Sequence, residues 1–263
     1  MSLPRLLIVA GSDSGGGAGI QADIKTATAF GVYAMTAITA VTVQNTLGVS
    51  GWQPIETPVV QGQIAACLSD IGADAIKTGM LGDAAMVQAV AGALRGYEAP
   101  LVLDPVMVAK GGAKLLADEA VQAIRTHLLP LATLVTPNLP ECEALIGFAP
   151  GNDEEARKAA KAFFELGARH VLFKGGHAPG PVVRDVLADG QSGELMVLEA
   201  RRIETRHTHG TGCTLASAIA SGLAQGRPLE EAVRRAHSYV QQAIRTAPGL
   251  GAGHGPLNHF VKP

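Results

Sequence analysis

Charged side chains are scarce in this 263-residue chain: Asp, Glu, Lys and Arg make up 17%, against 47% hydrophobic residues, and the formal net charge is -2. A chain without basic excess has no face of the kind that holds nucleic acid or an acidic membrane, so small molecules are the expected partners. Cysteine is rarer still. Cys67, Cys142 and Cys213 form no CxxC pair and leave one over, as expected of a reduced, cytoplasmic protein. No apolar run approaches the roughly 18 residues of a membrane span, and the run at 6–10 is too short for a signal peptide. No linker divides the chain, so a single α/β domain over residues 1–263 is expected. The common nucleotide and metal signatures are missing too. No Gly-Lys-Ser/Thr follows the glycine-rich loop at 11–19, no glycines stand at G-x-G-x-x-G spacing, and the eight histidines show no HExxH or paired spacing and read as structural or surface groups.

Glycine, by contrast, is plentiful at 32 residues, which points to tight turns and places where backbone meets a ligand. The segment His207-Thr208-His209-Gly210-Thr211-Gly212-Cys213 leads into an apolar run in which Leu215, Ile219 and Leu223 share one helical stripe. It reads as a glycine-bent helix N-terminus whose N–H groups and dipole favour phosphate. Cys213 stands where that field would favour a thiolate, and so is a candidate proton acceptor. Upstream, a buried strand at 5–11 enters the loop at 11–19 and then a helix to about Phe30, with Asp23 placed to accept a substrate hydroxyl. A second strand at 33–43 ends in Gln44-Asn45-Thr46, and the Gln44 amide offers both acceptor and donors to a neutral heterocycle. A third strand at 75–79 ends in Met80, a residue of pocket wall or core.

Further strands at 101–103 and 134–135 end in Asp104-Pro105-Val106-Met107 and Thr136-Pro137-Asn138-Leu139-Pro140-Glu141. Prolines break both strands, so Asp104, Asn138 and Glu141 should line the carboxyl edge of one sheet, where carboxylates suit Mg²⁺ with its waters and phosphate oxygens. Helices are expected near 84–95, 154–166 and 229–246, and a strand at 170–173 ends in Lys174, within reach of a phosphate. An antiparallel pair at 182–187 and 195–203 turns at Asp189-Gly190.

In order along the chain, Gly11-Ser12-Asp13 with Gly16 to Asp23, Gln44-Asn45-Thr46, Lys77-Thr78-Gly79-Met80-Leu81, the Asp104 and Asn138 segments, Lys174-Gly175-Gly176-His177 and His209 to Cys213 resemble the hydroxymethylpyrimidine/phosphomethylpyrimidine kinases of thiamine biosynthesis. The likeness runs from about residue 6 to Phe260. It implies a ribokinase-like three-layer sandwich, with a mostly parallel sheet between helices. It also implies ATP- and Mg²⁺-dependent phosphorylation of 4-amino-5-hydroxymethyl-2-methylpyrimidine, then of the monophosphate, by a homodimer. On that likeness Gln44, Gly11, Asp23, Met80, Val106 and Met107 hold the pyrimidine, and Cys213 or Asp23 takes the hydroxyl proton. Gly210, Thr211 and Gly212 hold the transferring phosphate, Asn138 and Lys174 serve the nucleotide, and Asp104 and Glu141 serve the metal. Lys110-Gly111-Gly112 departs slightly from the family, where serine is frequent at 111. The glycine-rich segments at 11–19 and 109–113 are candidate mobile covers.

Overall fold

The first strand decides the architecture. In β1 (Arg5–Ala10) Leu7 and Val9 join one apolar cluster while Leu6 and Ile8 join another, and none of the four has any exposure. A strand apolar on both faces needs a layer on each side, which is the setting of a parallel sheet covered by helices. The computed structural model describes residues 3–107 and 118–263. The candidate cover at 109–113 therefore lies outside the described residues.

The chain continues through α1 (Gly19–Ala29), β2 (Tyr33–Ile38), β3 (Ala40–Asn45), β4 (Gly48–Pro54), α2 (Thr57–Asp70), β5 (Ala75–Thr78), α3 (Ala84–Leu94) and β6 (Leu101–Leu103). There follow α4 (Asp118–Ala123), β7 (Leu134–Val135), α5 (Leu139–Ile146), α6 (Asp153–Glu165), β8 (His170–Phe173), β9 (Val182–Asp189), β10 (Leu195–Arg201), α7 (Thr211–Ala224) and α8 (Leu229–Arg245). The main sheet runs β10-β9-β8-β7-β6-β5-β1-β2, parallel from β8 to β2, with β9 and β10 added antiparallel at one edge. Helices α2 to α6 cover one face and α1, α7 and α8 the other. This is the expected three-layer α/β sandwich.

Register places the site. Val9 pairs with Thr78, Thr78 with Leu103, and Leu103 with Val135, so these strands stop level with one another. The residues that follow them, Gly11, Met80, Asp104 and Asn138, consequently emerge along one carboxyl edge.

The segment 33–43 is not one strand. The main-sheet strand ends at Ile38, and Thr39 turns the chain by donating its N–H to the Ala10 carbonyl and its Oγ1 to the Met80 carbonyl, the latter at 2.7 Å. The chain then leaves the sheet as β3, paired antiparallel with β4 alone. In β3 Ala40 and Thr42 are buried while Val41 and Val43 are 50% and 63% exposed, the one-sided alternation of a strand with a single covered face.

Candidate active site

A cavity of about 1020 Å³ opens over the carboxyl edge of the sheet, and its wall includes Gly11, Gln44, Met80, Val106, Met107, Asn138, Glu141 and Lys174. Thr211, Gly212 and Cys213 line it from above. Every proposed site residue except Asp23 therefore borders one space. Met80 serves as wall and core together, being only 8% exposed.

The anion turn has the expected form. Gly210 adopts φ +83°, and a β-carbon there would lie 1.8 Å from the Gly17 carbonyl oxygen, so only glycine fits between the two loops. No side chain caps α7; the Thr211 N–H turns back to the Thr208 carbonyl, while the Gly212 and Cys213 N–H groups that follow have no side-chain partner and can serve an anion. A β-carbon at Gly212 would stand 3.4 Å from Lys174 Nζ and 3.7 Å from Asp104 Oδ2, which measures how closely the charged cluster approaches the turn.

That cluster is built from three strand ends. Lys174 Nζ lies 2.8 Å from Asp104 Oδ1 and 3.5 Å from Glu141 Oε2. Burial pulls the Lys174 ammonium toward neutrality, but Asp104 and Glu141 more than offset it and keep it charged; burial pushes Glu141 up against the pull of Lys174. Asn138 caps α5 by accepting the Glu141 N–H at 2.9 Å, and Glu141 Oε2 returns the contact from the Asn138 N–H at 2.8 Å. This capping box fixes Glu141 at the cavity edge. Asp104 Oδ2 and Glu141 Oε1 have no hydrogen bond among the described residues, and no group of three His, Cys, Asp or Glu gathers there as a cage. Two carboxylates with one uncommitted oxygen each fit a hexacoordinate Mg²⁺ that keeps its waters and phosphate ligands.

Asp23 is a correction. It is fully buried, Lys77 Nζ lies 2.8 Å from its Oδ2, and Ser217 Oγ donates to its Oδ1 at 2.6 Å. With both oxygens committed and no part in the cavity wall, it is not placed to meet a substrate hydroxyl directly. Its place is taken by Lys77, which does line the cavity. Burial disfavours the Lys77 ammonium, yet its surroundings, Asp23 foremost with Cys213 and Asp104, together more than offset burial and hold the charge.

Cys213 lies at the start of α7 as expected, but its thiol is not acidified. Burial pushes it up to about 11, and the nearby Lys77 charge recovers only part of that. At neutral pH the group is a thiol, because the helix end acts on a sulfur already withdrawn from water.

The loop at 11–19 is not a loose cover. Asp13 accepts the N–H groups of Gly15, Gly17 and Ala18 at 2.8 to 3.0 Å, and the Ile20 N–H returns to the Gly11 carbonyl. Although burial opposes ionisation, His209 and these N–H groups hold the Asp13 carboxyl below its usual range. His209 thereby departs from the reading of the histidines as structural or surface groups: it is 7% exposed and forms part of the cavity wall beside Gln44. Sequence spacing could not reveal Lys77, Asp13 or His209, because each finds its partner across the fold. Their only signal was position beside glycine-rich motifs.

The family described as phosphomethylpyrimidine kinase matches residues 13–258. Hydroxymethylpyrimidine/phosphomethylpyrimidine kinase of Streptomyces coelicolor is 50% identical over 97% of this chain and 94% of its own, and that of Bacillus subtilis is 46% identical over 99% and 96%. The thiamine biosynthesis bifunctional protein ThiED of Geobacter sulfurreducens is 51% identical over 97% of this chain, which spans 52% of that longer protein. Among solved structures, an ADP complex of Bacillus subtilis pyridoxal kinase superposes with a TM-score of 0.89 at 39% identity over 98% of each chain. Phosphomethylpyrimidine kinase from Clostridium difficile superposes at 0.80 with 38% identity over 92% of this chain and all of that one. With this sheet order, this glycine turn and a family match over nearly its whole length, the chain belongs to the phosphomethylpyrimidine kinase family, on the ribokinase-like fold.

Proposed function

We propose that this kinase uses ATP and Mg²⁺ to phosphorylate the hydroxymethyl group of 4-amino-5-hydroxymethyl-2-methylpyrimidine, and then the monophosphate to the diphosphate, for thiamine biosynthesis. One observation carries the reading. A single cavity is lined by the Gln44 amide, by the cationic and acidic cluster of Lys174, Asp104 and Glu141, and by the uncapped start of α7. A ring held at Gln44 and nucleotide phosphates held at Lys174 would meet at this turn, where in-line transfer would take place.

In this mechanism Gln44 reads the aminopyrimidine, Gly11, Met80, Val106 and Met107 enclose its ring, and Cys213 faces the reacting hydroxyl. The Gly210 to Cys213 N–H groups hold the transferring phosphate, with Thr211 and Asn138 beside the nucleotide and Lys174 on its phosphates. Asp104 and Glu141 would hold Mg²⁺, which would supply positive charge against the phosphate oxygens. Lys77 contributes a fixed positive charge under the hydroxyl. Since phosphoryl transfer passes through a loose transition state, the hydroxyl proton leaves late, to an oxygen of the phosphoryl group it has joined and from there to solvent, and a neutral thiol suffices to orient the hydroxyl.

The test is incubation with MgATP and, separately, hydroxymethylpyrimidine or pyridoxal, followed by mass spectrometry of the products. Pyrimidine diphosphate with little pyridoxal phosphate is expected; pyridoxal phosphate alone would favour the second reading. That second reading, a vitamin B6 kinase, draws on the likeness to the Bacillus subtilis pyridoxal kinase structure. Gln44→Leu separates them, because an amide that pairs with an exocyclic amine is wasted on pyridoxal. The variant should raise KM for the pyrimidine far more than for pyridoxal. We also assign the enzyme to the cytoplasm, in keeping with its three unpaired cysteines, and to a homodimer.

A further inference from the structure

Asp13 accepts three backbone N–H groups of its own loop, and its Oδ2 stands 2.8 Å from His209 Nε2. An ionised carboxylate only accepts, so His209 Nε2 carries a proton and donates it to Asp13. A protonated ring nitrogen has no lone pair left for a second donor. Yet the Gln44 amide nitrogen lies 3.2 Å from the same atom. Two donors in that position leave the Gln44 NH₂ without an acceptor, facing a proton already directed at Asp13, whereas turning the amide end for end keeps its outline and lets Oε1 share that proton.

The surroundings leave Gln44 little other freedom. Its N–H donates to Ser14 Oγ at 2.8 Å, its carbonyl accepts from the same hydroxyl at 2.7 Å, and a bulge between Val43 and Gln44 sets the direction of its side chain. His209 is equally confined. Its N–H is bonded to the Gly255 carbonyl, and a β-carbon at Gly17 would lie 2.6 Å from its Cδ2.

We propose that His209, anchored by Asp13, is a positioning residue that fixes the Gln44 amide with its oxygen inward and its NH₂ group toward the substrate pocket, and so sets which heterocycle the site accepts. The proposal rests on the reading of Gln44 as the residue that meets the heterocycle. An NH₂ presented in this way pairs with an acceptor nitrogen of a flat ring, and the second lone pair of the amide oxygen remains for an adjacent N–H. A ligand that sets a C–H opposite the NH₂ leaves that donor buried and unpaired, and is rejected for it.

The proton is located first, in the intact protein without ligand, by long-range ¹H–¹⁵N NMR of the imidazole nitrogens, with the signal assigned by its loss in His209→Leu. A proton on Nε2 is expected; a bare Nε2 overturns the proposal while leaving the reading of Gln44 untouched. Steady-state kinetics then compares hydroxymethylpyrimidine with pyridoxal. In His209→Leu, and in Gly17→Ala, which crowds the ring without removing it, the preference for the pyrimidine should fall at least about tenfold through KM. His209→Gln, which retains an N–H donor, should recover part of it. Equal losses for both substrates would mean that His209 only supports the Gly210 turn, and would overturn the proposal. A parent enzyme with no pyrimidine preference would sink the reading of Gln44 itself, and the selectivity claim with it.

Discussion

Cys213 shows how a correct position can carry the wrong electrostatics. The sequence placed it at a helix N-terminus, where a thiolate is favoured, but burial raises the thiol to about 11. Its alkylation by iodoacetamide, scored against Cys213→Ala, should therefore climb toward a midpoint near pH 11; a midpoint near 7 would restore the thiolate base. Geometry at the turn should matter more than the thiol. Gly212→Val adds bulk where a β-carbon already stands 3.4 Å from Lys174 Nζ, and displaces the N–H groups meant for the phosphate. Loss of one such donor costs about 10²-fold or more in kcat, so a Gly212→Val enzyme with full kcat would refute the arrangement. At this scale Gln44, Lys174 and Cys213 were legible because their motifs are local. The displacement of Asp23 by Lys77 was not, because it depends on Ser217, distant in the chain, meeting Asp23 on α1.

Helix α7 is tied at two levels. Its N-terminus meets the cavity, and one position further on Thr214 Oγ1 lies 3.0 Å from Nε2 of the buried His259, whose carbonyl accepts from Tyr239 on α8. Burial, aided by the Lys25 charge, pulls His259 down to about 4 from an ordinary 6.5. A histidine that is harder to protonate when folded leaves the unfolded chain holding more protons below pH 6.5. Its contribution is thus intact above 6.5 and is lost as pH falls from 6.5 toward 4, by about 3 kcal/mol in all. His259→Gln should flatten the fall in Tm over that range, measured by calorimetry against the parent; an unchanged slope would remove His259 as the cause. Strands β3 and β4 teach the complementary lesson. The alternation from Ala40 to Val43 marks a strand with one covered face, but apolar content alone made 33–43 look continuous, and the turn at Thr39 is made by carbonyls of Ala10 and Met80 that no local pattern announces.

For the molecule as a whole, the two apolar clusters lie on opposite faces of one sheet whose strands come from both ends of the chain. A single cooperative unfolding transition is expected; two separable transitions would divide the chain. Val41, Val43, Leu47 and Trp52 on or between β3 and β4 are 42% to 71% exposed, an apolar surface that supports the homodimer reading. Light scattering should give about twice the 27.0 kDa of one chain, and Val43→Lys should shift that mass toward one; a parent of 27.0 kDa would end the dimer proposal. No helix among the described residues is long and apolar enough to cross a membrane. By itself the sequence determined the layered α/β architecture and brought every proposed site residue but Asp23 to the cavity. Apolar runs of strand length, helical stripes, prolines and glycine turns are local patterns, and a parallel sheet brings its strand ends to one edge wherever they occur. Tertiary structure alone decided which charges meet one another and that the Cys213 sulfur keeps its proton. Those outcomes depend on distance and burial between groups far apart in the chain, as with Lys77 and Asp23, or His209 and Asp13.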